Sequence, residues 1–388
     1  MILTVIFYIS LFSIFWIYIG YPILLYLLSS IISSGIEKDD TYQPSVSIMI
    51  MTYNEEKTIR RKIENTLALR YPIEQLEILV VDSSSNDRTQ EIVREYESRG
   101  IKLVLQPARK GKASAIHYGI QHATGEIIIS TDANAYFSND VLLKIIPYFK
   151  DKKVGGATGA MMQVDKSGTA ISKGGDLYWK IEKMLRDREW RLHSVICMSG
   201  EICAFRRSIF RDINFSDWYH IGEGDDFCLT LFIIRKGYRI AYAPDAFVWE
   251  PAPDNIKELF QQKVRIISQT IRTMMHKYNM IGAGHGFYSL FILPSRKLLP
   301  IFSPLFLVTL FFSNLILVYS NWLFSIIFVL QLIFYLLAIA GSVKPVQRNM
   351  IPRIANFFIL LNFTIIMGWF NYIRGKDFTI WDKIESSR

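Results

Sequence analysis

An α/β domain on a mostly parallel, Rossmann-like sheet, set between apolar helices that span or lie on a membrane, is the architecture the sequence predicts. Three observations predict it. Short β-branched runs alternate with helical stretches at roughly 20–25-residue intervals from Val46 to Ser130, the pattern of a parallel sheet with crossover helices. Two of those runs, Glu77-Ile-Leu-Val-Val-Asp82 and Glu126-Ile-Ile-Ile-Ser-Thr-Asp132, end in an aspartate, which places carboxylates at the sheet edge where such folds bind ligands. The chain of 388 residues is 51% hydrophobic, with a mean hydropathy of +0.21, and the apolar excess sits at its two ends.

The ends come first. Met1 to Ser34 carries no charged side chain and far exceeds the roughly 20 apolar residues a bilayer requires. No basic residue precedes Lys38, and the run is too long for the apolar core of a cleaved signal peptide, so residues 1–36 read as a retained transmembrane helix. Pro304 to Ser320, Trp322 to Gly341 and Ile354 to Ile373 read as three more spans, the first two forming a hairpin at Ser320-Asn321. The expected division is a catalytic domain over residues 44–255, amphipathic interface helices over 256–300, three spans over 301–373 and a tail over 374–388. Basic flanks place the middle domain in the cytosol of a multi-pass cell-membrane protein. One conflict follows: four spans would put the tail outside, yet it carries Arg374, Lys376, Lys383 and Arg388; a re-entrant or surface helix near Phe287 to Leu299 would change the parity.

Within the middle, Val46 to Met51 is a buried strand, and Thr52 and Asn54 are capping candidates for a helix over Lys57 to Leu69. Strands follow at Glu77–Val81, Lys102–Leu105 and Glu126–Ser130, separated by helices at Asp87–Arg99 and Gly111–His122. After Asn134 come a glycine-rich extended segment from Val154, a long helix over Asp176–Leu192, a helix over Cys228–Lys236, and a strand over Tyr238–Tyr242 that turns out at Pro244-Asp245. Glu258 to Tyr278 is an amphipathic basic helix of the kind that lies on a membrane surface.

The formal charge of +9 is carried by membrane flanks and helix faces without an aromatic–basic RNA signature, which argues against a nucleic-acid partner. Cys197, Cys203 and Cys228 have no metal-ligand spacing and read as reduced core thiols. A transporter would carry ionisable side chains inside its spans, and Pro304 to Gly341 holds no acid or base.

The chemistry concentrates at a few positions. Asp132 and Asn134 supply two hard oxygens suited to Mg²⁺ or Mn²⁺ carrying a diphosphate; a turn with Asx bonds is the competing reading. Asp82 suits a ribose or a base, against a helix N-cap or turn aspartate. Asp225 and Asp226 open a helix, where one could be a general base and either could cap. Arg109, Lys110 and Lys112 around Gly111 suit a diphosphate, or form a solvated basic turn. Gln262 and Arg265 share one helical turn, so Arg265 could clamp phosphate or meet a lipid headgroup. Trp218, Tyr219 and Trp249 could stack on sugar rings or pack in a core.

With these motifs in order, the chain resembles membrane-bound family-2 glycosyltransferases of the GT-A fold, the group that includes poly-N-acetylglucosamine, hyaluronan and cellulose synthases. The likeness runs from about Val46 to Ile267. It implies that Thr52, Tyr53, Asn54, Glu55, Asp82, Lys112, Asp132, Gln262 and Arg265 bind a nucleotide-diphosphate sugar, with Mg²⁺ or Mn²⁺ at Asp132 and Asn134. It further implies that Asp226, beside Asp225, deprotonates the acceptor in an inverting transfer; Gly200, Glu201, Trp218, Tyr219 and Trp249 are the candidates for an acceptor site. Two departures stand out. Asn134 replaces an aspartate, which predicts weak metal binding without nucleotide. Ile266 replaces the tryptophan of processive synthases, which favours single transfer to a lipid-linked or other glycan acceptor in the membrane over polymer synthesis and export. An inactive partner subunit, a homo-oligomer and an export partner are the remaining alternatives.

Overall fold

The computed structural model describes residues 1–32, 35–164, 176–210, 225–252, 256–276, 286–343, 346, 349–376 and 378. Its centre is one sheet of eight described strands: β1 (Val46–Thr52), β2 (Leu76–Asp82), β3 (Ile101–Leu105), β4 (Ile127–Asp132), β5 (Tyr136–Phe137), β6 (Val154–Val164), β7 (Cys203–Arg206) and β8 (Arg239–Pro251). The spatial order is β3-β2-β1-β4-β7-β6-β8-β5. The first four strands are parallel. β7 then runs antiparallel to both β4 and β6, β8 runs parallel to β6, and β5 antiparallel to β8. β1 is buried along its whole length, as expected for a continuous apolar strand covered on both faces. Its register sets Thr52 opposite Asp82 and Met51 opposite Asp132, so both strand-ending aspartates meet at one edge.

The helices that pack on this sheet are α2 (Ile59–Leu67), α3 (Thr89–Arg94), α4 (Lys112–His122) and α5 (Val141–Ile145), then α6 (Asp176–Leu192) and α7 (Asp225–Arg235), with α8 (Ile256–His276) packed beyond α7. Two expectations are corrected. The helix after Asp87 covers only Thr89–Arg94, followed by a separate 3₁₀ turn at Glu97–Arg99. The strand expected to end at Tyr242 continues through Pro244-Asp245 to Pro251. The ladder steps from Gly159↔Ala243 to Ala160↔Phe247, so residues 244–246 bulge and the strand resumes. A bulge tolerates Pro244 inside a strand, and glycine is required opposite because a Cβ on Gly159 would overlap the Ala246 carbonyl oxygen.

Outside the sheet, α1 runs Ile2–Ile31, α9 Tyr288–Ile301, α10 Ser303–Leu317, α11 Trp322–Ala340 and α12 Met350–Ile373. Among the described residues, α1, α11 and α12 are long and apolar enough to cross a membrane, and α9 with α10 forms a pair bent by 61° that could make a fourth span. The expected hairpin is present: Asn321 caps α11 by accepting from the Leu323 N–H.

The last turns of α12 pack against α8 and α9. A Cβ on Gly368 would meet Ile267 Cγ2 at 2.7 Å; Asn371 donates to Ser268 Oγ at 3.2 Å, Trp369 to the Ile301 carbonyl at 2.7 Å, and Arg272 to the Lys376 carbonyl at 2.6 Å. These contacts set residues 368–376 against α8 and the end of α9. The described cysteines are all buried, so single added thiols report accessibility cleanly. In sealed vesicles, Lys376→Cys is expected to react with an impermeant maleimide from the same side as Lys102→Cys on β3. Opposite labelling of positions 376 and 102 would refute this topology.

Candidate functional site

Two interlocked loops cover the edge where β1 and β2 end. After β1, Asn54 adopts φ +56°; its N–H donates to Ser85 Oγ at 2.8 Å and its side-chain oxygen accepts from the Asn86 N–H at 2.9 Å. The Glu55 N–H donates to Thr89 Oγ1 at 2.7 Å, and the Glu56 N–H to Asp87 Oδ2 at 3.2 Å. Thr52 and Asn54 therefore do not cap α2. The chain first turns toward β2, and α2 begins only after Thr58. Tyr53 lies beneath Arg109, whose guanidinium carbon is 3.7 Å from the ring centroid. A planar cation on an aromatic face makes a platform for another flat ring.

Asp82 is fully buried beneath these loops. One oxygen accepts from the Ser85 N–H at 2.9 Å and Gln90 Nε2 at 2.8 Å; the other accepts from Ser85 Oγ and from Thr52 Oγ1 at 3.2 Å. The carboxylate thus closes its own turn, and a ligand reaches it only by displacing Ser85 or Gln90.

At the end of β4 the charges converge. Lys112, the first residue of α4, places Nζ 2.5 Å from Asp132 Oδ1 and 3.5 Å from the Gly200 carbonyl oxygen. A Cβ on Gly200 would lie 3.2 Å from Lys112 Nζ and 3.8 Å from both Asp132 Oδ2 and Asp226 Oδ2. Residues from three distant stretches therefore enclose the space above Gly200. Asp226 serves two ends: Oδ1 accepts from the Phe227 N–H at 2.8 Å as α7 begins, while Oδ2 faces Gly200. Thr131 Oγ1 donates to the Glu201 carbonyl at 2.7 Å and fixes the Gly200-Glu201 strip to β4. Burial, reinforced by the charges of Asp132 and Asp226, pushes the Glu201 carboxyl up to about 7. Asn134 is buried in the turn closed by the Ala135 N–H to the Asp132 carbonyl at 3.2 Å.

Lys62 also belongs to this centre, although the motifs do not point to it. It is 0% exposed, donates to Thr131 Oγ1 at 3.0 Å and to the Ala135 carbonyl, and sits 3.7 Å from the Phe137 ring centroid. Its amine braces the Asp132–Ala135 turn from below. Burial draws its pKa well below the usual lysine value, against the field of Asp132. The available signal was its place on the helix face of Ile59, Ile63 and Thr66, all buried.

Gln262 and Arg265 lie one turn apart on α8, partly buried, and the position expected for tryptophan presents Ile266 at 41% exposure. Trp249 is partly buried on β8, paired with Tyr136 and Met162. Trp218 and Tyr219, and the side chain of Asp225, lie outside the described residues. Among the described residues no three His, Cys, Asp or Glu side chains group as a metal cage. The ammonium on Asp132 nevertheless shows a cation held where a metal would bind, and a diphosphate-bound hard cation, needing few protein ligands, fits these donors.

Residues 47–213 match the family model described as glycosyl transferase family 2. The probable glycosyltransferase YdaM of Bacillus subtilis is 30% identical over 233 residues, covering 57% of this chain and 54% of that protein. The poly-beta-1,6-N-acetyl-D-glucosamine synthase of Staphylococcus epidermidis is 28% identical over 222 residues, covering 57% and 53% respectively. The chain thus spans about half the length of the curated relatives it matches. The mannosyltransferase PcManGT from Pyrobaculum calidifontis, solved with GDP-Man and Mn²⁺, superposes with a TM-score of 0.71 at 22% identity, covering 96% of this chain and 100% of that one. The shared fold is GT-A, a mostly parallel sheet followed by a helical C-terminal region.

Proposed function

We propose, for a chain that carries a family-2 glycosyltransferase domain, an inverting, metal-dependent transfer of a sugar from a nucleotide-diphosphate sugar to a membrane-associated glycan or lipid-linked acceptor. The observation that carries this reading is the meeting of Lys112, Asp132 and Asp226 around Gly200. The base and ribose would lie over Tyr53 and the β1 and β2 loops. A metal, when bound, would sit at Asp132, near Asn134, and neutralise diphosphate charge. Lys112 would bind the diphosphate's oxygens and stabilise the charge that grows as the bond to the sugar breaks. Gly200 leaves room for the sugar beside Asp226 Oδ2, which would take the acceptor's proton on the face opposite the leaving group. Gln262 and Arg265 would close over the diphosphate from α8.

Purified protein with Mg²⁺ or Mn²⁺, membrane lipids and a panel of nucleotide sugars tests the reading. Release of one nucleoside diphosphate is the expected result, and silence across the panel would overturn it. Product mass then separates single transfer from a processive ladder. The exposed Ile266 favours single transfer, whereas the likeness to a poly-N-acetylglucosamine synthase favours the ladder.

Glu201 gives a pH signature. Its raised pKa means that its neutral form stabilises the fold below the ordinary carboxylate range, and that this contribution is lost as pH rises to about 7. A cation at Asp132 opposes the proton, so affinity for Mn²⁺ with nucleoside diphosphate is expected to fall as pH drops through about 7. In Glu201→Gln the slope should flatten, as titration calorimetry across pH would show; an unchanged slope would remove Glu201 from the site.

A further inference from the structure

A cavity of about 190 Å³ opens beside α6 against β6 and β8, and it has no part in the donor site. Its volume equals about six liquid waters, too small for a glycan chain and sufficient for a phosphate with its first neighbours. Lys180, Lys183 and Arg186 line it with a single carboxylate, Glu182. That carboxylate is already taken, by Arg186 at 3.0 Å and Arg296 at 2.8 Å. Lys180 and Lys183 are exposed and, among the described residues, form no ion pair. Among the described residues, the cavity is therefore a cationic recess without a counter-charge of its own.

Two further features define what it would hold. Met161 and Met162 form an apolar wall, and Met162 is 37% exposed. The opposite face of α6 docks on the end of α1: Leu185 packs with Tyr21 and Leu25, and Arg188 reaches Ser30 and the Tyr26 ring. The recess thus lies at the level where the first apolar helix ends. At its inner end is Ser199, held by Arg186 Nη1 at 3.1 Å and adjacent to Gly200.

We infer that this recess binds the phosphate of a lipid-phosphate acceptor, whose hydrocarbon leaves over Met161 and Met162 and whose reacting sugar hydroxyl extends past Ser199 to Gly200. The inference rests on the transferase reading and specifies its acceptor. In the transfer, the hydroxyl loses its proton to Asp226, its oxygen bonds to the anomeric carbon, and the bond from that carbon to the diphosphate breaks, releasing nucleoside diphosphate.

The test uses full-length protein in detergent with three probes: farnesyl phosphate, farnesol and inorganic phosphate. Native mass spectrometry or microscale thermophoresis reads binding, with Mn²⁺–nucleoside diphosphate measured in parallel. Farnesyl phosphate is expected to bind the wild type at least about tenfold more tightly than either partner fragment, and K180Q/K183Q, which alters exposed side chains only, should lose about tenfold of that affinity. Nucleoside diphosphate binding should be the same in both proteins. Equal binding of farnesol and farnesyl phosphate, or binding unaffected by the double substitution, would overturn the inference. Inorganic phosphate binding as tightly as the lipid would reassign the recess to free phosphate and overturn it too. A wild type that binds farnesyl phosphate but no nucleoside diphosphate would instead count against the transferase reading.

Discussion

Asp226→Asn is expected to reduce sugar transfer by about 10²–10⁴-fold, the range for loss of a general base. Nucleoside diphosphate affinity should stay within about twofold, because in the proposed reading Lys112 and the metal hold the diphosphate while Asp226 serves the acceptor. The amide can still accept from the Phe227 N–H, so this contact in the first turn of α7 is kept and the fold is not at stake. Product formation by mass and nucleotide binding by calorimetry separate the outcomes. Full activity in the variant would support a partner subunit without catalysis; loss of nucleotide binding would move Asp226 into the donor site.

Arg296→Met is expected to destabilise the protein by about 3–5 kcal/mol, the cost of leaving buried charges without their partner. Arg296 joins Glu182 at 2.8 Å and Glu189 at 2.6 Å, and Tyr21 of α1 donates to Glu189 at 3.0 Å. Burial alone would raise Glu182, yet Arg296 and Arg186 beside it hold its carboxyl far below the usual range. Glu189 is 0% exposed; burial pushes it up against the pull of Arg296. Adding Glu182→Gln and Glu189→Gln to Arg296→Met should recover part of the loss by removing the unpaired charges. Thermal unfolding in detergent reads both. A shift no larger than that of an exposed arginine on α3, such as Arg94→Met, would show that the network carries little stability.

These expectations differ in how far the sequence alone supports them. β1, β2 and β4 are legible because strands buried on both faces leave unbroken apolar runs, and the aspartates that end β2 and β4 fall at the edge for the same reason. Lys62 was illegible because lysine is almost never fully buried, and only the apolar neighbours at helical spacing betray it. The Glu182–Arg296–Glu189 network escaped notice because its partners are more than a hundred residues apart, although Glu182, Arg186 and Glu189 share one face of α6. Pro244 read as the end of a strand because a bulge depends on the facing strand, which local sequence does not reveal. The conflict over the tail arose from counting spans; contacts between α12 and α8 address it, and those depend on tertiary packing at Gly368.

The pairing of Lys112 with Asp132 would make the proposed donor site an ion exchanger. A lone divalent cation arriving at Asp132 must evict an ammonium, and a lone diphosphate arriving at Lys112 must compete with a carboxylate. A cation already chelated by the diphosphate satisfies both sides in one exchange, with charge balanced before and after. The binding species is then the chelate itself, so donor saturation should follow its concentration and not that of free metal, and excess free nucleotide should compete poorly.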